Sequence, residues 1–292
     1  MQILYNLGKP KFANRGVTML LAFDIGNSSV SIGVFELSPC DDPKLISSFK
    51  ISNKPYSSDE YTMYISSILS QRGFSFKNYS QSDDSKMITR SVISSVVPSL
   101  TPIISETAES ICGRKPFIIT SGIRTGFGIK IKNPEELGAD IVCNVAAALH
   151  STQVPLAILD MGTATTITFV DYTKFIVGTV IMPGLAVSMN ALSDSAALLG
   201  DVPLERGDTL IGKNTEEAVN SGVINGTIYM IDGFIRNIRE SYVNKDSTKK
   251  LSLVATGGLS NIIIPHTRNK FVFDENLTLF GAALLFQRNT KY

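Results

Sequence analysis

The chain has no tryptophan, two histidines and three cysteines. His150 and His266 are too few and too far apart for a histidine-built metal site. Cys40, Cys112 and Cys143 are odd in number, widely spaced and in no C-x-x-C arrangement, which excludes a disulfide framework and a zinc site and points to reduced thiols in a cytoplasmic protein. An excess of one charge is also missing: 27 basic residues balance 26 acidic ones, for a net +1. That leaves no electrostatic footprint for nucleic acid or an anionic membrane surface. No apolar run reaches the roughly 18–20 residues that span a bilayer. Met1 to Thr18 lack the apolar core and cleavage site of a secretory signal. Residues 1–18 therefore read as an extension, with Met19 as the natural start. What remains is a globular composition, 43% hydrophobic and 18% charged. At roughly 150 residues per domain it suits one large domain or two ordinary ones.

The most informative feature is an internal repeat. Residues 20–35 read LLAFDIGNSSVSIGVF and residues 156–171 read LAILDMGTATTITFVD. Each is an apolar strand ending in Asp, then a Gly-containing polar turn, then an alternating strand, which is a β-hairpin pattern. Asp24 aligns with Asp160 and Gly26 with Gly162.

Strands alternate with helical patterns around both copies, so the fold class is α/β. Helices are expected over 61–71, 102–111, 186–199, 214–228, 230–243 and 281–287, and strands over 91–97, 116–119, 175–181 and 251–255. Polar stretches cover 52–60 and 81–86. Asn133-Pro134-Glu135-Glu136 has the chemistry of a helix start, with a capping Asn, Pro at the first position and acids at the positive dipole end. An Ala-rich helix is expected from there to about His150. The seam between halves falls near residue 150, giving domains 19–150 and 151–292.

The first turn, Asp24-Ile25-Gly26-Asn27-Ser28-Ser29, suits phosphate binding, because Gly admits close backbone approach while amides and hydroxyls donate. An Asp beside phosphates can hold Mg²⁺, which takes one or two carboxylates plus phosphate oxygens. Taken alone the segment also fits a plain hairpin with a capping Asp; the second copy favours the phosphate reading. Gly162-Thr163-Ala164-Thr165-Thr166 offers three hydroxyls after Asp160, although threonine is common in strands for other reasons. Gly257 and Gly258, after a buried strand, permit close approach of an adenosine or form a tight turn. Asp140 is a candidate base for a substrate hydroxyl; an acid in an early helical turn also fits simple dipole stabilisation.

In order and interval, several segments together resemble type III pantothenate kinases. They are Asp24-x-Gly-Asn, Ser94-Ser95-Val96-Val97-Pro98, Asn133-Pro134, Gly138-Ala139-Asp140, Asp160-x-Gly-Thr-Ala-Thr-Thr, Pro183-Gly184, Gly212-Lys213-Asn214-Thr215 and Thr256-Gly257-Gly258. The likeness runs from about Met19 nearly to the C-terminus. It implies a duplicated actin-like ATPase (ribonuclease H-like) fold with a nucleotide cleft between two related domains. It also implies a homodimer and ATP-dependent phosphorylation of pantothenate, the first step of coenzyme A biosynthesis. By the same resemblance, Asp24, Ile25, Gly26, Asn27, Ser28, Ser29, Val30 and Ser31 line the ATP phosphates, with Asp24 on Mg²⁺ and Thr163 also on ATP. Asp140 accepts the proton of the pantothenate hydroxyl, and Asp160 holds a monovalent cation, K⁺ or NH₄⁺. Gly138, Ala139 and Asp140 contact the acceptor, as does Thr215, supplied by the partner subunit.

Three positions depart from the family pattern. Ile141 stands where an Arg usually grips pantothenate, Ile131 where a Tyr usually contacts it, and Thr179 where a second Gly is common. A lost charge-assisted contact is worth about 1.5–3 kcal/mol. Lys130, Lys132 or Lys213 are candidate replacements for the charge. The alternatives carried forward are a kinase of the same fold acting on another small hydroxylated acceptor, and a nucleotide-binding regulatory relative without kinase activity.

Overall fold

The computed structural model describes residues 17–77, 86–195, 202–205, 207, 209–243 and 250–291. The expected extension over 1–18 therefore lies outside the described residues up to position 16. So do most of the polar stretch 81–86 and the end of the helix expected over 186–199.

The first sheet is built from β1 (Thr18–Ile25), β2 (Ser29–Leu37), β3 (Lys44–Ser52), β4 (Ile88–Ser95) and β5 (Phe117–Ile118), in the spatial order β3-β2-β1-β4-β5. The second contains β6 (Gly128–Ile129), β7 (Leu156–Met161), β8 (Ala164–Val170), β9 (Phe175–Pro183), β10 (Ser252–Thr256) and β11 (Val272–Phe273), in the order β11-β10-β7-β8-β9-β6. In both, an antiparallel three-strand meander is extended from its first strand by parallel strands. Without the short edge strand β6, the two sheets have the same order. This is the duplicated actin-like ATPase, ribonuclease H-like fold, and the sequence repeat is its first hairpin in each half.

Helices cover both faces of each sheet. On the first half, α1 (Ser58–Gln71) and α2 (Thr101–Cys112) bury Tyr61, Ile65, Ile104 and Ile111 against Leu21, Phe23 and Ile25 of β1. A capping box starts α1: Ser57 accepts from the Glu60 amide, and Glu60 accepts from the Ser57 amide. That pairing satisfies amides which otherwise lack partners at a helix start. On the second half, α4 (Leu185–Ser195), α5 (Thr215–Asn220), α6 (Gly226–Ile238) and α7 (Ser260–Ile263) cover β7, β8 and β10.

Two helices fill the space between the sheets. α3 (Ala139–Ser151) and the C-terminal α8 (Leu277–Asn289) pack on Leu20, Ala22 and Val92 of the first sheet, and on Leu156, Ile158 and Val254 of the second. The two helices pack closely at Gly281, where any side chain would run into the Cys143 carbonyl. Strand alternation then fixes which way the acids point. On β1, Leu21, Phe23 and Ile25 face α1 and α2, so Asp24 shares the α3/α8 face with Leu20 and Ala22. On β7, Ala157, Leu159 and Met161 face outward, so Asp160 shares the inner face with Leu156 and Ile158. Both carboxylates thus point into the space between the halves.

Two sequence expectations are corrected. Pro134–Glu136 form only a 3-10 turn, Asn133 makes no side-chain cap, and the chain is extended at Leu137 before α3 starts at Ala139. The helix start is thus five residues later, which places Asp140 in the first turn. The break expected near Tyr229 does not occur: α5 and α6 are joined by a π turn over Ser221–Asn225, and a second π turn follows over Arg239–Val243. The short strands β6 and β11, and the whole of β3, carried no clear sequence signal.

Candidate active site

A cavity of about 790 Å³ lies between the two halves. That volume falls within the roughly 300–1,000 Å³ of small-molecule sites. Its floor carries Asp24 from β1, Asp160 from β7 and Asp140 from α3. The two glycine turns form its rims. In the first, the Gly26 amide donates to the Ser29 carbonyl at 3.0 Å, and in the second the Gly162 amide donates to the Ala164 carbonyl at 3.0 Å. Asn53 braces the first turn by donating to the Gly26 and Asn27 carbonyls, both at 3.2 Å. The turns meet directly: the Ser28 and Thr163 hydroxyls are 2.9 Å apart and hydrogen-bonded. Gly257, with φ +94°, and Gly258 form the wall beside β7. A Cβ on Gly257 would collide with the Met161 backbone, so this wall requires glycine.

The sequence-assigned residues divide into two groups. Asp24, Gly26, Asn27, Ser28, Ser29, Ser31, Asp140, Asp160, Thr163, Gly257 and Gly258 all line the cavity. Ile25 and Val30 are fully buried in the outer core of the first half, so only their backbone can serve a ligand. The acceptor-end residues stand apart from the cavity lining. Ile131 and Ile141 are half-buried and pack against the buried cluster of Val145, Ala148, Leu156 and Ile158; Gly138 caps α3, Ala139 packs against the cluster that holds Leu20, and Thr215 begins α5. Of the three lysines considered for the missing charge, Lys130 is already engaged: it pairs with Asp171 at 3.3 Å and lies 4.2 Å from the Phe175 ring centre. Lys132 and Lys213 are exposed.

Electrostatics distinguish this floor from an ordinary protein surface. Each acid keeps some access to the cavity, yet its charge is surrounded by protein. Burial, then the neighbouring charges of Asp140 and Asp160, push Asp24 up to about 7, while Ser94 and Lys50 pull it back. Burial, then Asp140, push Asp160 up to about 6, against an Asn144 hydrogen bond and Lys50. Burial also raises Asp140, partly offset by the Ile141 amide, which donates to its Oδ1 at 2.7 Å. The Ser94 hydroxyl sits beside Asp24 and Cys143, fully buried, without closing a hydrogen bond of ordinary geometry.

A buried acid cluster with too little counter-charge is a site for cations. Among the described residues, no three His, Cys, Asp or Glu side chains converge closely enough to ligate a metal by themselves. The donor set fits Mg²⁺ held by one carboxylate plus phosphate oxygens.

Sequence reasoning missed Asn144, Thr278 and Lys50. Asn144 is buried on α3, one turn after Asp140. Its amide donates to Asp160 Oδ2 at 2.9 Å, and its carbonyl oxygen accepts from the Thr278 hydroxyl of α8 at 2.8 Å. This relay ties the helix bearing Asp140 to Asp160, holding that carboxylate's orientation. A polar residue in an Ala-rich apolar helix, at i+4 from a candidate base, was the available signal. Thr278 and Lys50 had none, since their placement depends on tertiary pairing.

The type III pantothenate kinase family model matches residues 20–237. A type III pantothenate kinase of Geotalea uraniireducens (strain Rf4) is 33% identical over 272 residues, covering 93% of this chain and 99% of the relative. Among solved structures, a conserved Baf family protein from Campylobacter jejuni superposes with a TM-score of 0.54 at 19% identity, covering 91% of this chain and 97% of its own. At that identity the likeness bears on the fold alone.

Proposed function

The chain belongs to the type III pantothenate kinase family, and from that premise we propose which of its residues carry each part of the reaction. The activity is ATP-dependent phosphorylation of pantothenate to 4'-phosphopantothenate, the first step of coenzyme A biosynthesis. One observation carries the assignment: Asp24 and Asp160, each heading its own glycine turn, line one cavity together with Asp140.

In this proposal the Asp24–Ser31 turn and Thr163 hold the phosphates from both sides, and Gly257 and Gly258 take the adenosine. Asp24 would hold Mg²⁺, which neutralises phosphate charge when bound. Asp160, oriented by Asn144, would hold K⁺ or NH₄⁺. Asp140 receives the proton of the acceptor hydroxyl as it attacks the γ-phosphoryl in line. Little covalent work is asked of the protein beyond positioning and charge. The acceptor meets the start of α3 at Gly138 and Ala139, with Ile131 and Ile141 supplying apolar contact where the family pattern has Tyr and Arg. Lys132 or Lys213 then supplies the counter-charge to its carboxylate.

A homodimer is part of the proposal, with Thr215 of one subunit reaching the acceptor of the other. Its support is the exposure of Ile181, Leu192, Leu210 and Ile211 on the second half, none of which lines the cavity. The halves are taken as 19–150 and 151–292, with α8 returning to pack on the first. Among the described residues no helix is long and apolar enough to cross a membrane; the cytoplasmic location is part of the proposal.

The test is an ADP-release assay with pantothenate and Mg²⁺, in potassium or sodium buffer, on wild type and Asp160→Asn. Wild type is expected to turn over in potassium and to fall to a small fraction of that rate in sodium, while Asp160→Asn loses the difference. Equal wild-type rates in the two salts refute the cation role. Nucleotide binding without turnover, on pantothenate and on other hydroxylated acceptors, supports the regulatory alternative instead.

A further inference from the structure

Strand register places Lys50 directly beside Ser31, and Ser31 directly beside Asp24. Residues opposite one another in a sheet share a face. Across β3, β2 and β1 these side chains therefore form one row, and all three line the cavity. The second sheet repeats the row as Ile181, Thr166 and Asp160. Duplication has kept the carboxylate and the hydroxyl but not the outer member. There the second half carries an isoleucine that is 70% exposed and does not line the cavity.

Lys50 is the one Lys or Arg among the described residues lining the cavity, which also holds Asp24, Asp140, Asp160 and Glu275. No ion pair engages it among the described residues. Its charge is nevertheless felt at both Asp24 and Asp160. A polyphosphate entering this cavity adds negative charge to an acidic floor, so a fixed cation is needed besides any metal. A long, flexible ammonium at the end of the Asp24 row can follow the terminal phosphate as it moves toward the acceptor. We propose that Lys50 is a catalytic residue of the transfer, contacting the terminal phosphate of the bound nucleotide. This rests on the reading of the cavity as the MgATP site. The competing explanation is that a lysine on the edge strand β3 serves only to discourage sheet-to-sheet pairing.

The experiment compares full-length wild type, Lys50→Met and Lys50→Arg by calorimetric titration with adenosine, MgADP and MgATP, alongside thermal unfolding and steady-state rates. Met keeps the apolar stem and removes the charge. Lys50→Met is expected to weaken MgATP roughly 10- to 100-fold, MgADP less, and adenosine not at all, with unchanged unfolding temperature. Lys50→Arg should recover most of the MgATP affinity. Unchanged MgATP binding in Lys50→Met, or equal losses for adenosine and MgATP, overturns the proposal. If wild type shows this binding pattern but fails to phosphorylate pantothenate, the acceptor assignment falls while the role of Lys50 stands.

Discussion

Asp140→Asn is expected to lower kcat by about 10²- to 10⁴-fold, the range that a positioned base contributes, while MgATP binding stays near wild type. The substitution is nearly isosteric, and the Asn side-chain oxygen can still accept the Ile141 amide, so the first turn of α3 should survive. What it loses is a carboxylate raised by burial toward neutrality, and so made a better proton acceptor than a surface acid. A loose transition state takes the hydroxyl proton late, which places the effect toward the lower end of that range. Steady-state kinetics with a separate binding titration decide it: kcat reduced with affinity retained marks an interaction made in the transition state. A kcat close to wild type would remove Asp140 from the base role.

Asp24→Asn should act in opposite directions on activity and stability. Loss of the carboxylate that would hold Mg²⁺ is expected to reduce kcat/KM for MgATP by at least about 10²-fold, the scale of one transition-state electrostatic contact. The nucleotide-free protein should nevertheless become more stable at pH 8. The sign follows from proton linkage. Asp24 titrates near 7 in the folded chain against 3.8 when unfolded, so between these values the native state holds more protons. Stability is fully present below about 4 and declines as pH rises through 7. Asn does not ionise and escapes the decline. The shift sets an upper bound of about 4 kcal/mol, shared with the interacting Asp160 and reduced by relaxation. A gain of about 1–2 kcal/mol corresponds to roughly 2–8 °C in Tm. Melting curves of wild type and mutant at pH 5 and pH 8, without Mg²⁺, should lie closer together at the first pH than at the second, because only part of the linked stability has been lost by pH 5. A mutant less stable than wild type at pH 8 would contradict the buried-charge account.

Local features of the chain disclosed much of this site. The repeat was visible because Asp24 and Asp160 end apolar strands at the same offset from Gly26 and Gly162, and alternation along those strands sets which face each acid occupies. Other parts depended on pairing across the fold. β3 reads Lys44 to Ser52 with mostly half-exposed positions, too polar to announce a strand, so Lys50 stayed hidden until its register with Ser31 was known. Asn133-Pro134 carried the chemistry of a helix start but yielded a single 3-10 turn, because Leu137 is extended and turns into the apolar cluster between the sheets. Gly222 and Gly226 sit where the long helix widens into a π turn rather than where it ends. The acceptor end was least legible: Ile131 and Ile141 carry no polar signal, and the structure leaves both half-buried at the edge of an apolar cluster.

The proposed function depends on the two glycine turns facing each other across one cleft and holding the nucleotide between them. A Ser28→Cys, Thr163→Cys double variant, with the exposed Cys40 changed to Ser, tests it directly, since the hydroxyls being replaced are 2.9 Å apart. Oxidation without nucleotide should form an intramolecular disulfide, MgATP should slow that reaction, and the cross-linked protein should bind MgATP only after reduction. Failure to cross-link, or a cross-linked protein that binds MgATP as well as the reduced one, would contradict the account.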